Sequence, residues 1–316
     1  MKIVILDAYT ANPGDLSWEE IEKLGNVEIY KRTQEDEILS RSKDADAILT
    51  NKVVISKEIM DNLPNLKYVG VLATGTNVVD LEAAAKKNIV VTNIPAYSTP
   101  FVAQHTFALL LDLFNKVSEH SESARAGYWA KCMDFSYTFG TLYELNTKRM
   151  GIIGLGSIGK KVADIAKAFG MEVVALESNN PNADQSVKRL NHQDFFSSCD
   201  VISLHCPLTE GTKEIINANS LNLMKKSAII LNTGRGPLIN EADLAKALNE
   251  GRIGGAGLDV LTTEPPAEDN PLITAQNCVI TPHIAWAAKE CRERLIDIAS
   301  NNLSAFMSKS VINQVN

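Results

Sequence analysis

Three residues in the second half of the chain have side chains that could move a proton and hold an acid. They are Arg235, Glu264 and His283, in the stretches NTGRG, EPP and TPHIAW. An imidazole titrates near neutrality, so it can both give and take a proton. A carboxylate against its other ring nitrogen would fix the tautomer and favour the charged ring. A guanidinium offers a planar fork that matches a 2-oxo or 2-hydroxy carboxylate. Residue type and spacing leave the alternatives open at this point: a His in a Thr-Pro-His turn can be structural, a Glu before two prolines a solvated turn residue, and an Arg between glycines a helix cap. Of the other histidines, His105 reads as helix packing, His120 and His192 as solvated, and His205 as lining a cofactor site.

Such groups become chemistry only beside a redox partner, and residues 150–177, MGIIGLGSIGKKVADIAKAFGMEVVALE, supply its platform. The order is a buried strand, the loop Gly154-Leu-Gly156-Ser-Ile-Gly159, a helix, a second apolar strand and the acid Glu177. This is the dinucleotide-binding fingerprint. Gly154 turns the chain sharply off the strand, Gly156 lets a pyrophosphate approach the backbone, and Gly159 lets the helix lie close to the sheet. The helix N-terminus offers free N–H groups to the phosphates. Glu177 can accept two ribose hydroxyls and would repel a 2′-phosphate, so the expected cofactor is NAD rather than NADP.

The remaining elements must bring these pieces together. Residues 1–93 alternate short apolar strands with helices and predict an α/β unit with a parallel sheet. Its loop Leu72-Ala-Thr-Gly-Thr-Asn77 follows a strand, and the N–H groups of Ala73, Thr74 and Gly75 could bind a substrate carboxylate, although a plain βα turn reads equally well. Thr99 and Pro100 open an unusually apolar helix, which predicts core packing or a subunit interface. Residues 119–148 lose periodicity and carry many aromatics, and they read as a long functional or interface loop. Two further buried strands follow the nucleotide unit, each ending in a polar loop, at 205–212 and 232–236. A helix over 241–249, a strand over 278–280 and a last helix over 289–307 complete the chain.

Bulk properties narrow the class. At 316 residues, with 45% hydrophobic and 22% charged residues, the chain predicts about two domains of a soluble globular enzyme. A net charge of −7 and the absence of a basic run argue against a nucleic-acid partner. Five scattered cysteines (Cys132, Cys199, Cys206, Cys278, Cys291) predict neither a disulfide framework nor a metal site. MKIVILDAYT reads as a strand and not a signal peptide, and the most apolar helix is interrupted by Gln104, His105 and Asp112. No membrane partner is expected, and the expected location is the cytoplasm.

Over nearly its whole length the chain resembles the D-2-hydroxyacid dehydrogenases. The matching pieces, in the family's order, are GLGSIG at 154–159, SLHCPLT at 203–209, NTGRGPLIN at 232–240, GAGLDV at 255–260, EPP at 264–266 and TPHIAW at 281–286. The resemblance implies two doubly wound parallel-sheet α/β domains. A Rossmann coenzyme domain (residues 100–287) would be inserted in a flavodoxin-like substrate domain (1–99 and 288–316). It also implies hydride transfer between NAD and a 2-oxo acid; a homodimer is expected separately, from the apolar helix that starts at Thr99 and the aromatic-rich stretch after it. By motif match, Arg235 would bind substrate, His283 would be the acid/base and Glu264 would orient and charge it. Ser157 and Ile158 would meet the pyrophosphate. His205, Cys206, Pro207, Thr212, Thr233, Gly234, Arg235, Asp259 and His283 would line the cofactor. Trp286 would wall a pocket for a three-carbon acid. Ser157 stands where many members have Arg, and Glu177 where Asp is commoner. LATGTN at 72–77, AYSTPFVAQHTFALLL at 96–111 and HIAWA at 283–287 are most similar to the glycerate dehydrogenase (hydroxypyruvate reductase) branch. The expected reaction is therefore NAD-dependent reduction of hydroxypyruvate to D-glycerate, with glyoxylate as a second substrate. The alternatives are another D-2-hydroxy acid such as phosphoglycerate, or a non-catalytic NAD-sensing protein resembling the family's corepressors.

Overall fold

The strands are short, and those at the centre of each sheet are buried and mostly aliphatic, because a parallel sheet is covered on both faces. In the computed structural model, which describes residues 1–178, 180 and 183–316, the chain forms two units, 1–98 with 287–316, and 99–286.

The first unit holds β1 (Lys2–Ile5), β2 (Asn26–Ile29), β3 (Ala47–Thr50), β4 (Tyr68–Val71) and β5 (Val90–Thr92) in the order β2-β1-β3-β4-β5, all parallel. This is the flavodoxin-like order. Val4, Ile48, Val69 and Val91 anchor its core. Its helices start at caps the sequence supplies: Ser56 accepts from Ile59 N at 3.3 Å, and Asp80 from Ala83 N at 2.9 Å. The helix Lys289–Met307 returns to this sheet. Arg292 grips Asp15 with two 2.7 Å bonds, Asn302 donates to Asn93 O, and the Phe306 ring lies 4.9 Å from that of Tyr68.

The second unit holds β6 (Arg149–Ile153), β7 (Glu172–Leu176), β8 (Lys188–Leu190), β9 (Val201–Leu204), β10 (Ile229–Asn232), β11 (Gly255–Leu258) and β12 (Cys278–Ile280). The order is β12-β11-β10-β9-β6-β7-β8, all parallel, which is the Rossmann arrangement with one further strand. The strand order reverses between β6 and β9, and ligands of open α/β sheets gather at that point. The helix Thr99–Asn115 lies across β10 and β11 with Val102, Thr106, Leu109 and Leu110 buried. The small residues of β11 make room for it: a Cβ on Gly257 would stand 2.9 Å from Leu109 Cβ, and one on Gly255 3.2 Å from Leu113 Cδ2.

Residues 119–148 differ from the expected loop, because Val117–Arg125 is a helix. None of its residues is buried, so no apolar stripe marks it in the sequence. The segment after it folds back on this helix through Tyr137 Oη to Ser123 Oγ and Phe139 N to His120 Nε2. His120 is thus engaged at both ring nitrogens and is not merely solvated. Among the described residues no helix is long and apolar enough to cross a membrane.

Candidate active site

The glycine loop leaves β6 and meets the loop after β9 at the reversal of strand order. Gly154 has φ +96°, and a Cβ there would strike the backbone of His205 and Cys206, so only glycine allows the two loops to touch. A Cβ on Gly159 would collide with Gly154 O, whereas one on Gly156 would meet nothing within 4 Å. The N–H groups of Gly156, Ser157 and Ile158 therefore face open space at the start of the helix Ser157–Ala168, with no acceptor among the described residues. Glu177 follows β7, exposed, and its carboxylate makes no ion pair or hydrogen bond among the described residues. Free donors at one strand end and a free acceptor at the next fit a dinucleotide's phosphates and ribose. Lys160 of the same helix pairs with Asp184 at 2.5 Å and holds that carboxyl well below its usual range.

Beside the loop, burial pushes His205 down to about 4, so its ring is neutral near pH 7, with Nε2 2.8 Å from Ser203 Oγ. Burial also lifts the Cys206 thiol to about 11, which keeps it protonated and inert. Pro207 is exposed. The Thr212 hydroxyl, expected at the cofactor, is spent within the loop: it donates to Pro207 O at 2.7 Å and accepts from Thr209 N at 2.8 Å. It shapes the 207–212 turn.

Arg235 sits after β10 on a loop folded by Asn232, whose fully buried amide donates to Arg235 O at 2.8 Å and accepts from Gly234 N at 3.0 Å. The guanidinium is exposed, and among the described residues its one hydrogen bond runs to Gly234 O at 2.8 Å. It keeps most of its five donors for a ligand.

Glu264 and His283 meet, with Glu264 Oε2 2.6 Å from His283 Nδ1. A carboxylate can only accept, so Nδ1 carries the proton and Nε2 is left to exchange one. The other oxygen of Glu264 accepts from Leu261 N at 3.1 Å. The loop beyond is pinned by one carboxylate that the sequence did not single out: Glu241, at the start of the Glu241–Asn249 helix, accepts from Thr262 N at 2.6 Å and Asn270 Nδ2 at 2.8 Å.

His283 itself has φ +53°, a left-handed conformation that a non-glycine residue adopts only when its surroundings impose it. Its N–H donates to Asp259 O at 2.8 Å and Thr281 O at 2.9 Å, and its carbonyl accepts from Trp286 Nε1 at 2.9 Å. Asp259, expected on the nicotinamide side, has a fully covered side chain. Its carboxylate accepts from Thr281 Oγ1, Ile284 N and Ala285 N at 2.6–2.9 Å. Burial alone would raise its pKa, but these bonds and His105 outweigh burial and hold it low. Asp259 thus builds the turn beneath His283, with its carboxylate on that turn's donors and closed to solvent. His105 is more than packing: its Nε2 lies 2.9 Å from Thr281 Oγ1 and 3.5 Å from Asp259 Oδ1. It lies 176 positions from Thr281, and no motif links the two.

In the first unit, the loop at 72–77 follows β4. It is held by Asn51 Nδ2 to Leu72 O at 2.6 Å, Ile94 N to Ala73 O at 2.9 Å, and Thr74 Oγ1 to Ile94 O at 2.7 Å. These bonds use two of its carbonyls and the Thr74 hydroxyl, and leave the N–H groups of Ala73, Thr74 and Gly75 without an acceptor among the described residues.

A family model described as D-isomer specific 2-hydroxyacid dehydrogenase, NAD binding domain, matches residues 107–285. A hydroxypyruvate reductase of Blautia hydrogenotrophica is 47% identical, covering 100% of both chains. A glycerate dehydrogenase of Methylorubrum extorquens is 39% identical over 86% of each chain. Among solved structures, an acyclic imino acid reductase in complex with NADPH and D-Arg superposes with a TM-score of 0.87 at 33% identity, covering 100% of both chains.

Proposed function

The chain belongs to the D-isomer specific 2-hydroxyacid dehydrogenase family and is an NAD-dependent enzyme; from that premise we propose that it reduces hydroxypyruvate to D-glycerate, with glyoxylate as a second substrate. The observation that carries the acid/base chemistry is the 2.6 Å pair between His283 Nδ1 and Glu264. Likeness to the hydroxypyruvate reductase over 100% of both chains supports the substrate. In this reading the backbone donors of Gly156, Ser157 and Ile158 hold the pyrophosphate and Glu177 the ribose, while Thr233, Gly234, His205, Cys206 and Pro207 lie toward the rest of the coenzyme. NADH, when bound, supplies the hydride for the carbonyl carbon.

The protein's own residues do the remainder. His283 Nε2 gives the carbonyl oxygen its proton, and Glu264 stabilises the ring while it is charged and fixes which nitrogen exchanges. Arg235 holds the substrate carboxylate through its uncommitted donors. In the first unit, the free N–H groups of Ala73, Thr74 and Gly75 are proposed as carboxylate donors. Trp286, fastened to the carbonyl of His283, would limit the space beside the reacting carbon.

Initial rates with NADH and a panel of 2-oxo acids (hydroxypyruvate, glyoxylate, pyruvate, 3-phosphohydroxypyruvate and a branched 2-oxo acid) test the reading. The highest kcat/KM is expected for hydroxypyruvate. A higher value for the phosphorylated or branched acid would transfer the assignment to that substrate. The proposed location is the cytoplasm, a reducing compartment suited to free cysteines. The proposed assembly is a homodimer, supported by the outward-facing aromatics of the segment after Arg125.

A further inference from the structure

Two adjacent residues of the Thr99–Asn115 helix each reach one of the two loops that carry the reacting side chains. His105 touches the turn of His283, through Thr281, at 2.9 Å. Thr106, wholly buried, touches the loop of Arg235, through Thr233 Oγ1, at 3.1 Å.

The direction of these bonds follows from counting protons. A threonine hydroxyl has one proton to give. That of Thr281 goes to Asp259 Oδ1 at 2.6 Å, because a carboxylate low in pKa can only accept. Thr281 Oγ1 must therefore accept from His105, and Nε2 of His105 carries a hydrogen. The proton of Thr106 goes to Val102 O at 2.8 Å, since a carbonyl can only accept. Thr233 must therefore donate to Thr106, and its proton points into the helix. Each chain of bonds has a single sense: His105 to Thr281 to Asp259, and Thr233 to Thr106 to Val102. A chain in which every donor is committed has no second arrangement of equal energy.

The same Asp259 receives the N–H groups of Ile284 and Ala285 and gives its own carbonyl to His283 N. His105 is thus one side-chain link from the carboxylate that holds His283 in its left-handed conformation.

We propose that His105 and Thr106 are positioning residues: one helix sets the acid/base turn through His105 and the carboxylate-binding loop through Thr106, and so fixes the spacing between His283 and Arg235. The inference rests on the roles proposed above for those two residues. It predicts a division of labour. Losing His105 displaces the proton donor and slows turnover, whereas losing Thr106 loosens the Arg235 loop and weakens substrate binding.

The experiment compares His105→Ala, His105→Gln, Thr281→Val and Thr106→Val with the wild type, each as the full chain. His105→Ala and Thr281→Val are expected to lower kcat by about ten- to a hundredfold, the scale of a small misplacement of a reacting group. KM for the 2-oxo acid and Kd for NADH should stay within about twofold, since neither residue touches a ligand. His105→Gln keeps a donor near the position of Nε2 and should regain most of the loss. Thr106→Val should raise KM by about tenfold with kcat little changed, the sign of lost uniform binding. A His105→Ala enzyme with unchanged kcat and only a lower Tm would reduce His105 to packing and overturn the inference for it. An unchanged KM in Thr106→Val would do the same for Thr106.

Proton NMR of the free enzyme separates this from the functional reading. The Nδ1–H of His283 against Glu264 should give a far-downfield signal, assigned by its loss in His283→Gln. That signal should shift or broaden in His105→Ala and return in His105→Gln. A wild type inactive on every 2-oxo acid would overturn the proposed function, and the NMR comparison would still decide the positioning role: a signal unmoved in His105→Ala counts against it.

Discussion

At the scale of single residues, the site divides into groups that face outward and groups that hold them. Arg235, Glu177 and the Nε2 side of His283 are the first kind, and Asp259, Asn232, Glu241 and Thr212 the second. His283→Ala should lower turnover by roughly 10²–10⁴-fold with NADH affinity little changed, the usual cost of a lost general acid; stopped-flow rates and fluorescence titration check both halves. Glu177 should make NADH the preferred coenzyme by about ten- to a hundredfold, because a 2′-phosphate beside a carboxylate adds like-charge repulsion of a few kcal/mol at most. Glu177→Gln should narrow that gap, and equal kcat/KM for NADH and NADPH in the wild type would remove the assignment. His205 gives a pH prediction. Its folded pKa of about 4 lies below the unfolded value of about 6.5. Both states are neutral above pH 6.5, and as pH falls from there toward 4 only the unfolded chain gains the proton. Wild type should lose roughly 2–3 kcal/mol from this group between pH 7 and 4.5. His205→Gln should lack that part of the loss in denaturant titrations at the two pH values.

At the scale of elements, the Thr99–Asn115 helix, β11 and the 281–286 turn form one support. Gly257→Ala would press a methyl group against Leu109 Cβ at 2.9 Å and Leu231 Cδ2 at 3.0 Å. It should cost about 1–3 kcal/mol, the usual range for overpacking, measured by chemical denaturation, and an unchanged midpoint would show that the helix can move away. This support also separates what the sequence discloses from what it hides. GLGSIG is readable because each glycine answers a local demand of backbone geometry, and β10 because three aliphatic residues run into Asn232 and a polar loop. Gly255–Leu258 is not readable as a strand, since its residues are chosen for the helix above them and not for strand propensity. The Val117–Arg125 helix buries none of its residues and carries no apolar stripe, so it leaves no periodic mark. His105 looks like packing because its partner lies at the far end of the unit's sequence. Glu241 looks like a first-turn acid, which it also is, while its contacts with Thr262 and Asn270 exist only once the loop has closed.

At the scale of the whole molecule, two features lie outside the site. Met133 and Phe135 are 101% and 90% exposed, with Tyr128 and Trp129 more than half exposed nearby. The segment bearing them is nonetheless ordered by a cluster of aromatic contacts, such as Tyr128 with Tyr137 at 5.0 Å. Apolar surface held in place and left uncovered is the support for the proposed homodimer. Light scattering at micromolar concentration should report a dimer, and Phe135→Ser with Met133→Ser should shift it toward the monomer; a monomeric wild type would remove the proposal. The other feature is the route of the chain. The first unit needs its last helix to cover Tyr68 and to pair Arg292 with Asp15. On a ribosome adding about 5–20 residues per second, the roughly 190 residues of the second unit impose a wait of roughly 10–40 s. For that interval the first five strands exist in the cell without the helix that completes them. The nascent chain should therefore be most open to chaperones and proteases at its older end, while its younger middle is already folded.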